Sequence, residues 1–248
     1  MKKLIGTIIA LALLTVSVFG TVVFADDGNT KTVAIKDGSN AINVKSYYLY
    51  YSYKATKSGR MTMTFSEDPG PITVYNAKGN TISERVFGTG KGDARTYVWS
   101  VKKGETYKFY MWYHTEGVRK YTVKLSTKKI TEPKTKKKKA TNLKFNKTKT
   151  GMVANGQSKA SWFKIKFKKA KKANFTFKGK AIQGSLLITF YKGKKKITQT
   201  KIAKDSKMKL YSAAISGSVN SKISKGTYYI KIERWKTTSA GDFTVKVK

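Results

Sequence analysis

The chain has 248 residues, with 52 Lys+Arg against 13 Asp+Glu, one His and no Cys. The missing cysteines exclude disulfides, a thiol nucleophile and a lipid-modified N-terminal cysteine, and one histidine cannot supply a zinc site of about three or four ligands. With 40% hydrophobic and 12% aromatic residues, the chain has enough apolar material for ordinary cores despite its charge.

Lys2 and Lys3 precede an apolar run from Leu4 to Phe24. Val23-Phe24-Ala25 places small residues where a signal peptidase cuts, which predicts a signal peptide over 1–25 and a mature chain from Asp26. The run also has the length of about 20 residues that an uncleaved anchor needs. No later stretch is apolar enough to span a bilayer. The mature protein is therefore expected outside the cell or on its surface, with no stable membrane insertion after cleavage.

Residues 26–128 carry 17 Lys+Arg against 9 Asp+Glu. Tyr47, Tyr48, Tyr50, Tyr51 and Tyr53 crowd one predicted strand, and Tyr110 and Trp112 alternate with Phe109, Met111 and Tyr113 in another. Alternation turns successive side chains to opposite sheet faces, so one set forms core and the other is exposed. Tyr48, Tyr50, Tyr110 and Trp112 are the candidate exposed aromatic patch, suited to a glycan or protein ligand. Glu67-Asp68 precedes Pro69-Gly70-Pro71 and reads as a loop tip, and His114 lies beside a Glu-Gly turn as a structural residue.

Residues 129–140 hold Pro133 and the run Lys136-Lys137-Lys138-Lys139. Like charges and a proline predict an extended, self-repelling basic linker.

Residues 129–248 carry 33 Lys+Arg against 4 Asp+Glu, and Arg234 is the one arginine among those cations. The second copy, 141–248, again shows a period of two. Phe163, Ile165 and Phe167 oppose Lys164, Lys166 and Lys168, and Tyr228, Ile230 and Ile232 oppose Tyr229, Lys231 and Glu233. Like charges across a sheet destabilise it by up to about 1 kcal/mol per pair, so a fold that tolerates many such pairs either lives in salt or meets an anionic partner. The candidate polyanion-binding residues are Lys164, Lys166, Lys168, Lys169, Lys171, Lys172, Lys192, Lys194, Lys195 and Lys196.

The two copies repeat one pattern. Ile72-Thr73-Val74-Tyr75 returns as Ile188-Thr189-Phe190-Tyr191, and Tyr121-Thr122-Val123-Lys124-Leu125 returns as Phe243-Thr244-Val245-Lys246-Val247. Lys103-Gly104 matches Lys225-Gly226, Ser46-Tyr47-Tyr48 matches Ser161-Trp162-Phe163, and Val33 and Ile35 match Leu143 and Phe145. Short alternating strands, turn signals such as Lys78-Gly79-Asn80 and Lys192-Gly193, and no amphipathic helix after residue 25 define an all-β fold. The expected architecture is two tandem antiparallel β-sandwich, jelly-roll-like domains of about seven or eight strands each.

Lys225-Gly226-Thr227-Tyr228-Tyr229-Ile230-Lys231-Ile232 followed by Gly241-Asp242-Phe243-Thr244-Val245 resembles the end of bacterial pre-peptidase C-terminal (PPC-like) domains. The strands at 161–167 and 185–191 fit the same pattern, and the first copy matches through Lys103-Gly104-Glu105-Thr106-Tyr107 and Tyr121-Thr122-Val123. The resemblance covers nearly all of the mature chain. It implies an accessory β-sandwich of secreted bacterial hydrolases and surface proteins, whose relatives bind polysaccharide or collagen or have no known ligand. Some relatives carry calcium-binding acidic clusters, for which this chain has few candidates; Asp26-Asp27 is the nearest and reads as a solvated end.

No catalytic set emerges, and no metal or cofactor is expected. A lysine field almost without arginine lacks the planar fork that reads base edges, so contact is expected to be sequence-independent. The candidate partners are teichoic acid, anionic polysaccharide or extracellular DNA. The leading function is a secreted, non-catalytic adhesion protein on anionic polymer. The alternative is a carbohydrate- or protein-binding module that uses the aromatics of the first copy.

Overall fold

The computed structural model describes residues 24–25, 32–44, 48–83, 85–90, 94–112, 119–132, 134–217 and 222–248. Residues 1–23 of the expected signal peptide, Asp26-Asp27, Tyr47 and His114 lie outside the described residues.

Strands dominate. In the first copy they are β1 (Phe24–Ala25), β2 (Thr32–Ala34), β3 (Gly38–Val44), β4 (Tyr48–Lys54), β5 (Gly59–Phe65), β6 (Thr73–Asn76), β7 (Arg95–Val101), β8 (Thr106–Trp112) and β9 (Arg119–Lys129). In the second they are β10 (Thr141–Asn142), β11 (Thr148–Val153), β12 (Ser161–Phe167), β13 (Phe175–Gly179), β14 (Ser185–Lys192), β15 (Lys195–Ala203), β16 (Lys207–Leu210), β17 (Gly226–Arg234) and β18 (Gly241–Val247). Among the described residues one short α-helix, α1 (Ser212–Ser216), ends on Gly217, which takes the left-handed conformation a helix stop favours. It interrupts the all-strand reading and adds Ile215 to the second core.

Each copy closes as two sheets on one core. The first packs β2-β4-β8-β6 over β1-β3-β9-β5-β7, and the second packs β10-β12-β17-β14-β15 over β11-β18-β13-β16. Apart from β1 and β15, the two strand orders are the same, with partners in the same chain order. That shared order is the duplication seen as topology. Most pairs are antiparallel, but β1–β3, β2–β4 and β10–β12 are parallel. Short parallel edge strands raise the total above seven or eight per copy.

Alternation places the cores as expected. Phe163, Ile165, Phe167, Tyr228, Ile230, Ile232, Phe243, Val245 and Val247 are buried in the second core, and Tyr51, Tyr53, Phe109 and Met111 in the first. Trp99 fills the first core, stacked on Tyr97 at 5.7 Å between centroids. Aromatics of this size bury large areas, which lets disulfide-free sandwiches hold.

Register corrects two of the repeat matches. Tyr75 pairs with Lys108, and Tyr191 pairs with Tyr229, so Tyr75 corresponds to Tyr191 as expected. Tyr53 pairs with Tyr107 and Ile165 with Tyr228, however, which aligns Tyr50 with Trp162 rather than Tyr47 with Trp162. The Ile35 N–H donates to the Ser52 carbonyl as the Leu143 N–H does to the Lys164 carbonyl, so Ile35 and not Val33 matches Leu143. Matching by residue type had shifted both strands, because aromatics occupy both faces of β4.

The linker is not extended throughout. Lys137–Lys139 form a 3-10 turn, the Trp162 N–H donates to the Lys134 carbonyl, and the chain enters β10 alongside β12. The two sandwiches also touch. The Asn155 side chain, 2% exposed, accepts from the Ser100 N–H and donates to the Ile82 carbonyl and the Gln183 side chain. Arg60 donates to both carboxylate oxygens of buried Asp242, and that carboxylate holds the guanidinium pKa above its ordinary value. These contacts use β5, β7 and β18 together with the loops that hold Ile82, Asn155 and Gln183. The sheets β2-β4-β8-β6 and β10-β12-β17-β14-β15 lie on the other side of each core.

Candidate functional site

The outer face of the second sandwich is built from alternate residues of β12, β17, β14 and β15. With Phe163, Ile165, Tyr228, Ile230 and Phe190 turned inward, Trp162, Lys164, Tyr229, Lys231 and Tyr191 turn outward. Register sets them in rows across neighbouring strands, which run about 4.8 Å apart. One row reads Lys164, Tyr229, Tyr191, Lys196, and the next reads Trp162, Lys231, Thr189, Gln199. A Gln199 N–H donates to the Thr189 hydroxyl at 2.9 Å, which fixes these residues on one face.

Ten candidate lysines were named from sequence, and the fold brings them to one end of this sheet. Lys164 is half-buried in its row and the other nine are exposed. Lys166 pairs with Thr227 on the outer side of the sheet, whereas Lys192 pairs with core Tyr228 and reaches the sheet end from the inner side. Lys194, Lys195 and Lys196 form the β14–β15 turn and the start of β15. Lys168, Lys169, Lys171 and Lys172 follow β12, and Lys171 bridges to Ile223. The segment after Ile223 reaches the same end, where the Lys192 ammonium donates to the Ser224 hydroxyl at 2.7 Å. Exposed Lys222 and Lys225 join the group. Sequence reasoning passed over these two because they stand singly.

The acids of this half are turned elsewhere. Asp242 pairs with Arg60, Glu132 accepts from the Ser58 hydroxyl, and Glu233 pairs with Lys231 at 2.6 Å. Asp205 lies close enough to raise the Arg60 pKa further. The lysine cluster is left without internal counterions among the described residues.

A feature that charge counting hid sits on the same face. The Lys137 ammonium lies 5.7 Å from the Trp162 ring centroid, 4.7 Å from Tyr191 and 5.0 Å from Tyr229, and donates to the Gly193 carbonyl at 2.5 Å. Three electron-rich ring faces attract the cation, at about 0.5–2 kcal/mol for each such contact. The outward position of Trp162, Tyr191 and Tyr229 was readable from the period of two. Their meeting was not, because it depends on β17 lying between β12 and β14. At the far end of the face, the Lys201 ammonium stands 3.4 Å over the ring of half-exposed Trp235.

The aromatic patch expected on the first sandwich falls on β4 and β8, with the side chains of Tyr48 and Trp112 outside the described residues. Register sets Tyr48 opposite Trp112 and Tyr50 opposite Tyr110. The Tyr50 and Tyr110 rings lie 4.9 Å apart, and Tyr75, unmarked by sequence reasoning, lies 6.2 Å from Tyr50. The Tyr50 hydroxyl is pushed above its ordinary pKa by burial and by Tyr75. Tyr51 and Tyr53 are core. Beside the patch, Thr32, Tyr50, Tyr75, Gly79 and Lys108 line an open depression of about 290 Å³. Asp68, expected at a loop tip, accepts from Arg95 and from the Gly70 N–H there.

No family model matches the sequence, and no curated protein matches it. Solved structures with a similar fold include the pre-peptidase C-terminal domain of a Bacillus anthracis collagenase, at 11% identity over 41% of this chain and 100% of that one, with a TM-score of 0.32. The N-terminal CBM22-1–CBM22-2 tandem domain of Paenibacillus barcinonensis Xyn10C is 11% identical over 79% of this chain and 82% of that one, with a TM-score of 0.23. The turret protein A223 of Sulfolobus turreted icosahedral virus is 9% identical over 86% of this chain and 100% of that one, with a TM-score of 0.21. All three likenesses are remote.

Proposed function

We propose that this chain is a secreted, non-catalytic adhesion protein of tandem PPC-like sandwiches that holds an anionic polymer on the lysine-rich end of its second sandwich. One observation carries the reading. Lys164, Lys166, Lys192 and Lys194–Lys196 converge on one sheet end while the acids of that half pair elsewhere. Such a surface attracts phosphate, sulfate or carboxylate polymers by releasing their counterions. Lysine heads are hydrated point charges on flexible stems, so they fit a polymer of regular charge rather than one shaped group. The 3-10 turn adds to the field, since Lys136, Lys138 and Lys139 stand exposed beside docked Lys137. Absent cysteine and a single histidine support the non-catalytic part.

The test is a salt series with the full mature chain against wall teichoic acid, a sulfated polysaccharide and duplex DNA. Engagement of about six to ten anionic groups lowers affinity by about 10³–10⁵ between about 50 and 200 mM salt. A flat salt response on all three polymers would sink the proposal. A steep response on one alone identifies the polymer class.

A further inference from the structure

We infer that the first sandwich carries a second, separate site, for an acidic sugar ring, built from Tyr50, Tyr75, Tyr110 and Lys108. Internal symmetry is the starting point. Tyr50 occupies the position of Trp162 and Tyr75 that of Tyr191, so both sandwiches carry rings on the two strands that flank the central strand of the face. On the central strand the order is exchanged. Lys108 stands where the second sandwich has Tyr229, and Tyr110 stands where it has Lys231.

That exchange sets what each site accepts. In the second sandwich Lys231 is paired with Glu233, the rings face an ammonium, and Lys137 fills the space. In the first, the corresponding space is the open depression lined by Thr32, Tyr50, Tyr75, Gly79 and Lys108. No carboxylate pairs with Lys108 among the described residues, so a cation entering there meets a like charge and an anion meets an unpaired ammonium. The half-buried tyrosines give flat, electron-rich faces suited to the C–H bonds of a pyranose, with hydroxyls at the rim for its oxygens. Rings for the sugar face and one ammonium for its charge together describe a carboxylated or sulfated monosaccharide unit. Among the described residues, the inter-sandwich contacts of Arg60, Ile82, Val98, Ser100, Asn155, Gln183 and Asp242 involve none of the residues that line this depression.

The test uses the full mature chain and short probes of equal length: an oligogalacturonate, a sulfated oligosaccharide and a neutral cello-oligosaccharide, at about 0.15 M salt. The expected result is binding of one or both acidic probes, with the stronger of the two naming the anion. Tyr110→Ala and Tyr75→Ser should each weaken it about tenfold, as loss of one stacked ring does. Tyr75 lies on the edge strand β6, which keeps a folded variant available if Tyr110→Ala does not fold. Lys108→Met should bring acidic and neutral probes to equal affinity. Acidic binding that survives both tyrosine variants, or a preference that survives Lys108→Met, overturns the inference, as does no binding of either acidic probe. A Lys164→Gln, Lys166→Gln, Lys192→Gln, Lys196→Gln variant separates the two sites. Loss of the short acidic probe there, with retention in Tyr110→Ala, assigns the binding to the second sandwich and overturns the inference.

Discussion

Arg60 of β5 and Asp242 of β18 are joined by two parallel hydrogen bonds, Nε to Oδ1 at 2.9 Å and Nη2 to Oδ2 at 2.5 Å, across the contact between the sandwiches. Asp242 is 1% exposed, so its charge has little water to turn to. Removing the guanidinium leaves a buried carboxylate without its ion-pair partner, at a cost of about 3–5 kcal/mol. Arg60→Ala should therefore lower the urea midpoint strongly, whereas Arg60→Met with Asp242→Leu should recover most of the loss. A single variant that unfolds like the parent would show that the pair contributes nothing to holding the sandwiches together.

The Lys137 contact makes a smaller and more local prediction. Lys137→Ala removes the cation from Trp162, Tyr191 and Tyr229 and the donor from the Gly193 carbonyl. The expected cost is about 1–2 kcal/mol, with faster proteolysis within residues 134–140 and readier quenching of Trp162 by iodide. Lys138→Ala, an exposed neighbour in the same turn, serves as the control and should change neither readout.

Tyrosine ionisation reports on the first core. Burial pushes the hydroxyls of Tyr53, Tyr97 and Tyr107 above their ordinary range near pH 10. A raised folded-state pKa means that the folded protein holds the proton more tightly. The stability these groups contribute is complete below about pH 10 and is lost as the pH rises toward their folded values. Tyrosinate absorbance should rise in two stages, with the buried set ionising only as the fold gives way. One smooth titration of all tyrosines near pH 10 would contradict the burial.

Faces were readable from sequence, and neighbours were not. The period of two in Phe163, Ile165 and Phe167 fixes which side of β12 is core, because successive side chains must oppose one another. It is silent on which strand lies next to β12. Tyr229 meets Tyr191 only because β17 inserts between β12 and β14. β4 shows the limit of residue-type matching, since tyrosines on both faces hid the correspondence of Tyr50 with Trp162. The turn within the linker has an energetic cause. Repulsion among Lys136–Lys139 was counted, and the attraction of Lys137 to three rings supplied by distant strands was invisible locally. Arg60 and Asp242, 182 positions apart, left no local sign at all.

The last prediction concerns the polymer surface. Lys164, Lys166, Lys192 and Lys196 project from β12, β14 and β15 with little role in the core, so their replacement by Gln should leave thermal unfolding within a few degrees of the parent. Each lysine that neutralises a phosphate contributes about 0.9 to the slope of log affinity against log salt on duplex DNA. The four-site variant should therefore flatten that slope by about 3–4 and weaken binding to every anionic polymer alike. Lys178, Lys207, Lys209 and Lys246 lie on the other sheet of the same sandwich, where Lys178 pairs with Lys207 and Thr176 with both Lys209 and Lys246. Replacing those four removes the same charge from the other face and should change the slope far less. Equal losses from the two sets would mean that the polymer reads net charge and not the face built by β12, β17, β14 and β15.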